Sequence, residues 1–187
     1  MTKIFLVAHQ TRPEIRGIIA EVVAWSKSSG HDVWMASQDA HGLGWSELAS
    51  DRRAGDADVV LSLGGDGTVL RAIHELDGAP VPVLGVNVGT LGYLTEVEPA
   101  QCVQTLERWI TGREGTDYEI DSRMMVRASL TPASGAPGTT WRALNEVVLE
   151  KQQSGHTIWL DVEINGFLFA QYSADGVIVA SPTGSTA

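Results

Sequence analysis

The apolar run Val59-Val60-Leu61-Ser62-Leu63 stops at Gly64-Gly65-Asp66-Gly67-Thr68 and passes into the helix-like stretch Val69-Leu70-Arg71-Ala72-Ile73-His74. A buried strand that enters a helix through a glycine turn is the kernel of a βα unit, and it points to a parallel sheet covered by helices. The turn stands at the carboxyl end of the strand, where open α/β sheets bind their ligands. Glycine lets the backbone turn sharply and lets a ligand approach it without a Cβ in the way. Successive backbone N–H groups and the amino end of the next helix together suit phosphate. Asp66 repels phosphate, so its place among the glycines points to chemistry. It can take a proton from a hydroxyl, or hold a cation that neutralises phosphates.

The flanking sequence carries the same alternation. Ile4 to Ala8 reads as a first buried strand. Pro13 opens a helix through about Lys27, with Ile15, Ile18, Ile19, Val22 and Val23 on one face and Gly30 beyond its last turn. Val33 to Met35 is a short strand, and the polar segment from Gly42 to Gly55 is weakly helical. Val81 to Val86 is a further strand, with Pro82 marking an end or an edge. Pro99 to Ile110 is a helix closed by Gly112. After about Thr116 the helical period disappears. Strands are expected at Tyr118 to Ile120, Met124 to Ala128, Trp141 to Leu149, Ile158 to Ile164, Phe167 to Tyr172 and Val177 to Ala180. Asn165-Gly166 signals a hairpin, and Thr131 to Thr140 a surface loop. The expected architecture is an α/β domain over residues 1–117 (a parallel sheet flanked by helices), followed over residues 118–187 by a mostly β domain. The chain stops at Ala187 inside a glycine-containing loop, which reads as a truncation of that second domain.

Charge narrows the function classes. The formal net charge is −10 and no Lys/Arg block is present, which argues against nucleic acid and anionic membrane as partners. A phosphate ligand would then be held by local amides, single arginines or a metal. The three lysines, Lys3, Lys27 and Lys151, lie outside any Gly-Lys-Ser/Thr motif, so a Walker-type loop is excluded. No G-x-G-x-x-G follows the first strand, and no Cys/His cluster has zinc spacing. The single cysteine, Cys102, rules out an intrachain disulfide and fits a reducing cytoplasm. It reads as a packing residue beside Val103 and Leu106.

Four ordered segments resemble the NAD kinase family. They are Gly64 to Thr68, Asn87-Val88-Gly89-Thr90-Leu91-Gly92-Tyr93-Leu94-Thr95, Ala143-Leu144-Asn145-Glu146-Val147, and Asp175-Gly176 with Ser181-Pro182-Thr183-Gly184-Ser185-Thr186-Ala187. The first is shared with lipid kinases and phosphofructokinases; the four in this order are far more specific, and they span nearly the whole chain. The resemblance implies two domains with the active site between them. It implies transfer of a phosphoryl group from ATP or polyphosphate to the 2′-hydroxyl of the adenosine ribose of NAD, with Mg²⁺ bridging the donor phosphates.

The same resemblance assigns roles by position. Asp66 would be the catalytic base. Gly64, Gly65, Gly67, Thr68, Arg71 and Arg123 would bind phosphate or nucleotide. Asp66, Gly67, Tyr93, Asn145, Glu146, Asp175, Thr183, Thr186 and Ala187 would bind NAD. In that scheme Glu146 accepts from ribose hydroxyls, Asn145 reads the adenine edge, Tyr93 lies beside adenine and Asp175 stands near the nicotinamide end. No residue would ligate the metal directly, and the complete protein would be a homo-oligomer. Plainer readings stand beside these: Asp66 as a turn former, Asn145-Glu146 as a polar pair at a strand end, Asp175-Gly176 as a hairpin corner, Tyr93 as a core aromatic, and Arg123 as a partner for a carboxylate. Two other function classes stay open at this point: a lipid or sugar kinase that shares the glycine turn, and a non-catalytic fragment.

Overall fold

The structure is a computed structural model that describes residues 1–90 and 92–186, with the backbone alone at Thr186. Ala187 and Leu91 lie outside the described residues. The chain divides into two compact units, Met1–Asp121 and Ser122–Ala187.

In the first unit, β1 (Lys3–Ala8), β2 (Asp32–Ala36), β3 (Ala49–Ser50), β4 (Val59–Gly64) and β5 (Val83–Asn87) form one sheet in the order β3-β2-β1-β4-β5. Every pairing in it is parallel. Helix α1 (Glu14–Ser29) connects β1 to β2, and α3 (Asp66–Leu76) connects β4 to β5. These crossovers step outward in opposite directions from the central β1-β4 pair. Since such connections are right-handed, the two helices fall on opposite faces.

Side-chain alternation divides the core accordingly. Ile4, Leu6 and Ala8 pack with Ile15, Ile19 and Val22 of α1 and with Cys102 and Leu106 of α4 (Cys102–Thr111). Phe5 and Val7 pack on the other face with Trp34, Ala72 and Leu76. Both faces of β1 and β4 are therefore covered, and both strands read as continuous apolar runs. Each fully buried Ile or Val here contributes about 1.5–3 kcal/mol relative to exposure. Gly30 closes α1 in the left-handed conformation, φ 72°, where glycine carries no Cβ penalty.

Several boundaries differ from the sequence reading. Helix α3 starts at Asp66 rather than near Val69, so Gly67 and Thr68 belong to its first turn. Strand β5 begins after Pro82, which has no N–H for a ladder, although its carbonyl accepts from Val60 N–H at 2.9 Å. The polar segment holds a short helix α2 (Ser37–Leu43) that starts ahead of Gly42, two 3₁₀ turns and the two-residue β3.

The second unit consists of antiparallel pairs. Strands β6 (Val126–Leu130) and β7 (Thr139–Ala143) pair, as do β8 (Glu146–Glu150) with β11 (Gly176–Ala180), and β9 (Ile158–Ile164) with β10 (Phe167–Ala174). The β9-β10 turn has Asn165 at φ 54° and Gly166 at φ 81°, the two positive values that a tight type I′ hairpin needs. Two expected strands change. Tyr118 to Ile120 makes only an isolated bridge, Glu114 to Tyr118, and no strand. The run from Trp141 to Leu149 is broken at Leu144-Asn145, which bends between β7 and β8. Trp159, Phe167, Phe169 and Ile178 are exposed.

Candidate functional site

The order of the sheet locates the candidate site of the first unit. The strand sequence reverses direction between β1 and β4, and the glycine turn leaves the carboxyl end of β4 at that switch point. Chain exits diverge at such a point and leave a crevice for a ligand. Backbone bonds clamp the exits: His9 N–H donates to Leu63 O at 2.9 Å, and Val88 N–H to Gly64 O at 2.8 Å.

Asp66 is the first residue of α3, and both of its carboxylate oxygens are held. Tyr93 N–H donates to Oδ2 and Leu94 N–H to Oδ1, each at 2.9 Å. Each oxygen keeps a second lone pair, so the group is oriented and can still accept another hydrogen bond or face a cation. The contact joins two sequence segments that are 27 residues apart. Thr95, whose Oγ1 is buried without a protein partner, lies on the same side, close to Gly92.

The glycines of the turn divide by role. Gly64 is needed for packing: a Cβ there would stand 2.1 Å from Thr68 Oγ1 and 3.3 Å from His9 Cβ. Gly65 and Gly67 face open space, with nothing within 4 Å of a Cβ on either. Gly65 has φ −113° and ψ −167°, extended backbone that any residue adopts. Neither fold nor strain demands glycine at these two positions, so close approach by a ligand is the reason left for it. The amides of Asp66 and Gly67 open α3 and have no intrahelical acceptor. Thr68 lies inward: its N–H donates to Gly65 O at 2.9 Å, and it is 5% exposed.

The candidate arginines fall in different settings. The Arg71 guanidinium pairs with Asp39 at 2.8 Å and donates to Ala8 O. Asp39 already neutralises its charge. Arg123 lies half-buried in the irregular segment ahead of β6, in the second unit. Arg12, absent from the sequence expectations, follows β1, and its guanidinium covers the α-carbon of Gly89. A basic residue directly before the proline that opens α1 was the signal available for it.

In the second unit, the bend at Leu144-Asn145 carries the candidate NAD-binding pair. Glu146 begins β8 opposite Ala180, the last residue of β11, so the following loop starts beside it. That loop folds onto the bend. Ser181 N–H donates to Asn145 O at 2.8 Å, and Ser181 Oγ, buried, donates to Leu144 O. Ser181 Oγ in turn accepts from Gly184 N–H at 3.1 Å. Gly184 lies so close that a Cβ would stand 2.2 Å from Asn145 O. Asn145, Glu146 and Thr183 are thus brought together, and Glu146 Oε2 is buried without a protein partner. The sequence placed Ser181 in the fourth family segment without giving it a role, and its hydroxyl ties these segments. Asp175 lies apart, exposed and paired with Lys151. Tyr93 is 64% exposed and is not a core aromatic. Ala187 lies outside the described residues.

Among the described residues no group of three or more His, Cys, Asp or Glu side chains could hold a metal ion. Nor is any helix long and apolar enough to cross a membrane. Burial, with Glu21 adding to it, pushes the Cys102 thiol up to about 12, so it stays protonated at neutral pH.

Comparison with known proteins bears on both units. Residues 4–114 match the ATP-NAD kinase N-terminal domain, and residues 144–187 match the ATP-NAD kinase C-terminal domain. Over the whole chain, the NAD kinase of Symbiobacterium thermophilum is 36% identical and that of Geotalea daltonii 37%. The chain spans 65% and 64% of the length of these two relatives. Among solved structures, yeast NADH kinase complexed with NADH matches with a TM-score of 0.84 at 23% identity, covering 100% of this chain and 59% of that one. An NAD kinase from Archaeoglobus fulgidus in complex with ATP matches with a TM-score of 0.67 at 22% identity, covering 98% and 62%. At these identities the two structures establish a shared fold.

Proposed function

The chain belongs to the NAD kinase family, and from that premise we propose that it serves phosphoryl transfer from ATP to the 2′-hydroxyl of the adenosine ribose of NAD, giving NADP. The observation that carries this reading is the Asp66 carboxylate, held by two backbone amides at the switch point beside two glycines that face open space. The ATP and NADH bound by the fold's relatives support donor and acceptor.

A ribose hydroxyl is a poor nucleophile and must lose its proton as it attacks. Asp66 accepts that proton on a free carboxylate lone pair, a contribution of roughly 10²–10⁴-fold for a positioned base. The rest of the work is positioning and charge neutralisation. The amides of Gly65, Asp66 and Gly67 receive donor phosphates, while Gly64 and Thr68 hold the turn in shape. Mg²⁺ would be carried on the donor phosphates, with no residue of the chain ligating it directly. When bound, the ion supplies charge neutralisation to the phosphoryl group. Asn145, Glu146 and Thr183 bind NAD, together with Tyr93, Asp175, Thr186 and Ala187. Cytoplasmic operation agrees with the one buried thiol, and homo-oligomers agree with the exposed apolar side chains of the second unit.

The test is NADP formation by the full-length protein from NAD, ATP and Mg²⁺, with diacylglycerol and sugars offered as rival acceptors. Production of NADP that disappears in Asp66→Asn supports the reading. Phosphorylation of a rival acceptor, with none of NAD, overturns it.

A further inference from the structure

We propose that Arg12 holds the phosphates of the nucleoside triphosphate donor, as the cation that a phosphate loop otherwise draws from lysine. The inference rests on the NAD kinase reading for the identity of the donor. The position of Arg12 comes from the fold itself.

Three observations carry it. The first is the seat of the side chain. Arg12 Nη1 stands 1.6 Å from where a Cβ on Gly89 would be, and Cζ 2.6 Å from it. The guanidinium therefore occupies the side-chain space of Gly89, which has φ +135°. Gly89 directly follows Val88, whose amide is bonded to Gly64 O. Arg12 thus reaches from the exit of β1 to the exit of β5 and ends at Gly89, the residue after the amide that is bonded to the glycine turn.

The second is its electrostatic setting. Arg12 lies at the amino end of the 16-residue α1, and its carbonyl accepts from Ile15 N–H at 3.3 Å. A cation at a helix amino terminus is opposed by the helix dipole, which favours an anion there. Glu14 is the acid in that first turn, yet among the described residues Arg12 forms no ion pair with it or with any carboxylate. Arg71, by contrast, is neutralised by Asp39.

The third is the shortage of positive charge. The chain carries a net −10, and Asp66 adds a carboxylate at the turn. A triphosphate brought there needs a fixed cation as well as amides. A guanidinium offers paired donors that match two phosphate oxygens at once.

The experiment measures KM for ATP and for NAD in wild type, Arg12→Gln, Arg12→Lys and Gly89→Ala, with Arg16→Gln on the exposed side of α1 as control. We expect Arg12→Gln to raise KM for ATP at least tenfold while KM for NAD stays within twofold. Arg12→Lys, which keeps the charge and loses the fork, falls between. Gly89→Ala, which evicts the guanidinium from its seat, reproduces the Arg12→Gln pattern. Arg16→Gln matches wild type. An unchanged KM for ATP in Arg12→Gln overturns the proposal. So does a parallel rise in both KM values with a lower melting temperature, the mark of a packing role. If wild type makes no NADP, the NAD kinase reading fails by itself. Calorimetric titration of MgATP into wild type and Arg12→Gln then decides on Arg12: weaker binding by the variant upholds it, and equal binding removes it.

Discussion

Gly92 and Asp66 are locked in a steric relationship. A Cβ on Gly92 would stand 2.1 Å from Asp66 Oδ1 and 2.8 Å from its Cγ, so the carboxylate reaches the Tyr93 and Leu94 amides only because residue 92 has no side chain. The collision with Asp66 penalises even a methyl group at this position. We expect Gly92→Ala to displace the carboxylate and to lower NADP formation by about 10²–10⁴-fold, the range for loss of a general base. Asp66→Asn should fall by a similar factor and should also lose about 1–3 kcal/mol, because its NH₂ would face a backbone N–H. Turnover and urea midpoints of the two variants check this. Wild-type turnover in Gly92→Ala would show that the position of Asp66 is immaterial.

Gly65→Ala separates a glycine kept for a ligand from one kept for the fold. Nothing lies within 4 Å of the new methyl, and the backbone is already extended. Stability should change by less than about 0.5 kcal/mol, as for surface substitutions. KM for ATP should rise by about tenfold, equivalent to ~1.4 kcal/mol of lost donor binding. Thermal melts alongside kinetics read both quantities. A large drop in melting temperature would contradict the open space seen before the turn.

Gly184→Ala acts on the second unit. Its methyl would meet the Asn145 backbone, with O at 2.2 Å, C at 2.3 Å and Cα at 2.6 Å. Backbone atoms give way less readily than a side-chain tip, so the loop after β11 should lift from the bend. The expected cost is about 1–3 kcal/mol, typical of overpacking, with a raised KM for NAD and an unaltered KM for ATP. Equal changes in both constants would argue against a role confined to NAD.

Asp32 provides a pH signature distant from the chemistry. The hydrogen bond from Arg52, opposed by desolvation and helped by the attraction of Arg52 and Lys3, holds its carboxyl below the ordinary 3.8. A depressed folded-state pKa stabilises the fold above the unfolded value and loses that contribution as pH falls through the folded value. Asp32→Asn should therefore cost less than about 1 kcal/mol at pH 7, since the pair is solvent-screened. The gap should shrink as pH drops below about 4. Urea midpoints at pH 7 and in acid measure it, and a gap that widens in acid contradicts the sign. Arg52 also stands 4.0 Å over the Trp34 ring, so tryptophan emission should shift in Arg52→Ala.

Legibility in the sequence followed the range of the interaction. Strands β1 and β4 and helix α1 were plain because their apolar period is local and strong. The Asn165-Gly166 hairpin was plain because only certain residues adopt its two positive φ values. The break at Leu144-Asn145 had only a faint local sign in the polar pair Asn145-Glu146, and the contacts that hold it come from Ser181 and Gly184, far along the chain. The isolated bridge at Tyr118 likewise has too few partners to become a strand. At the site, glycine motifs marked where a ligand approaches. They did not reveal that Gly92 makes room for Asp66, that Thr68 turns inward against Gly64, or that Arg71 is paired with Asp39. Those facts are contacts between distant residues, and periodicity carries no record of them.

The bonds from His9 to Leu63 and from Val88 to Gly64 fasten neighbouring chain exits to β4 just where they leave the sheet. Exposed residues beyond those fastenings that touch neither the sheet nor Asp66 can vary in residue type at little expense to the scaffold. A protein built this way can trade one phosphate donor or acceptor for another by rewriting loop tips, and such exchanges are where we would look for divergence in selectivity between chains that share this framework.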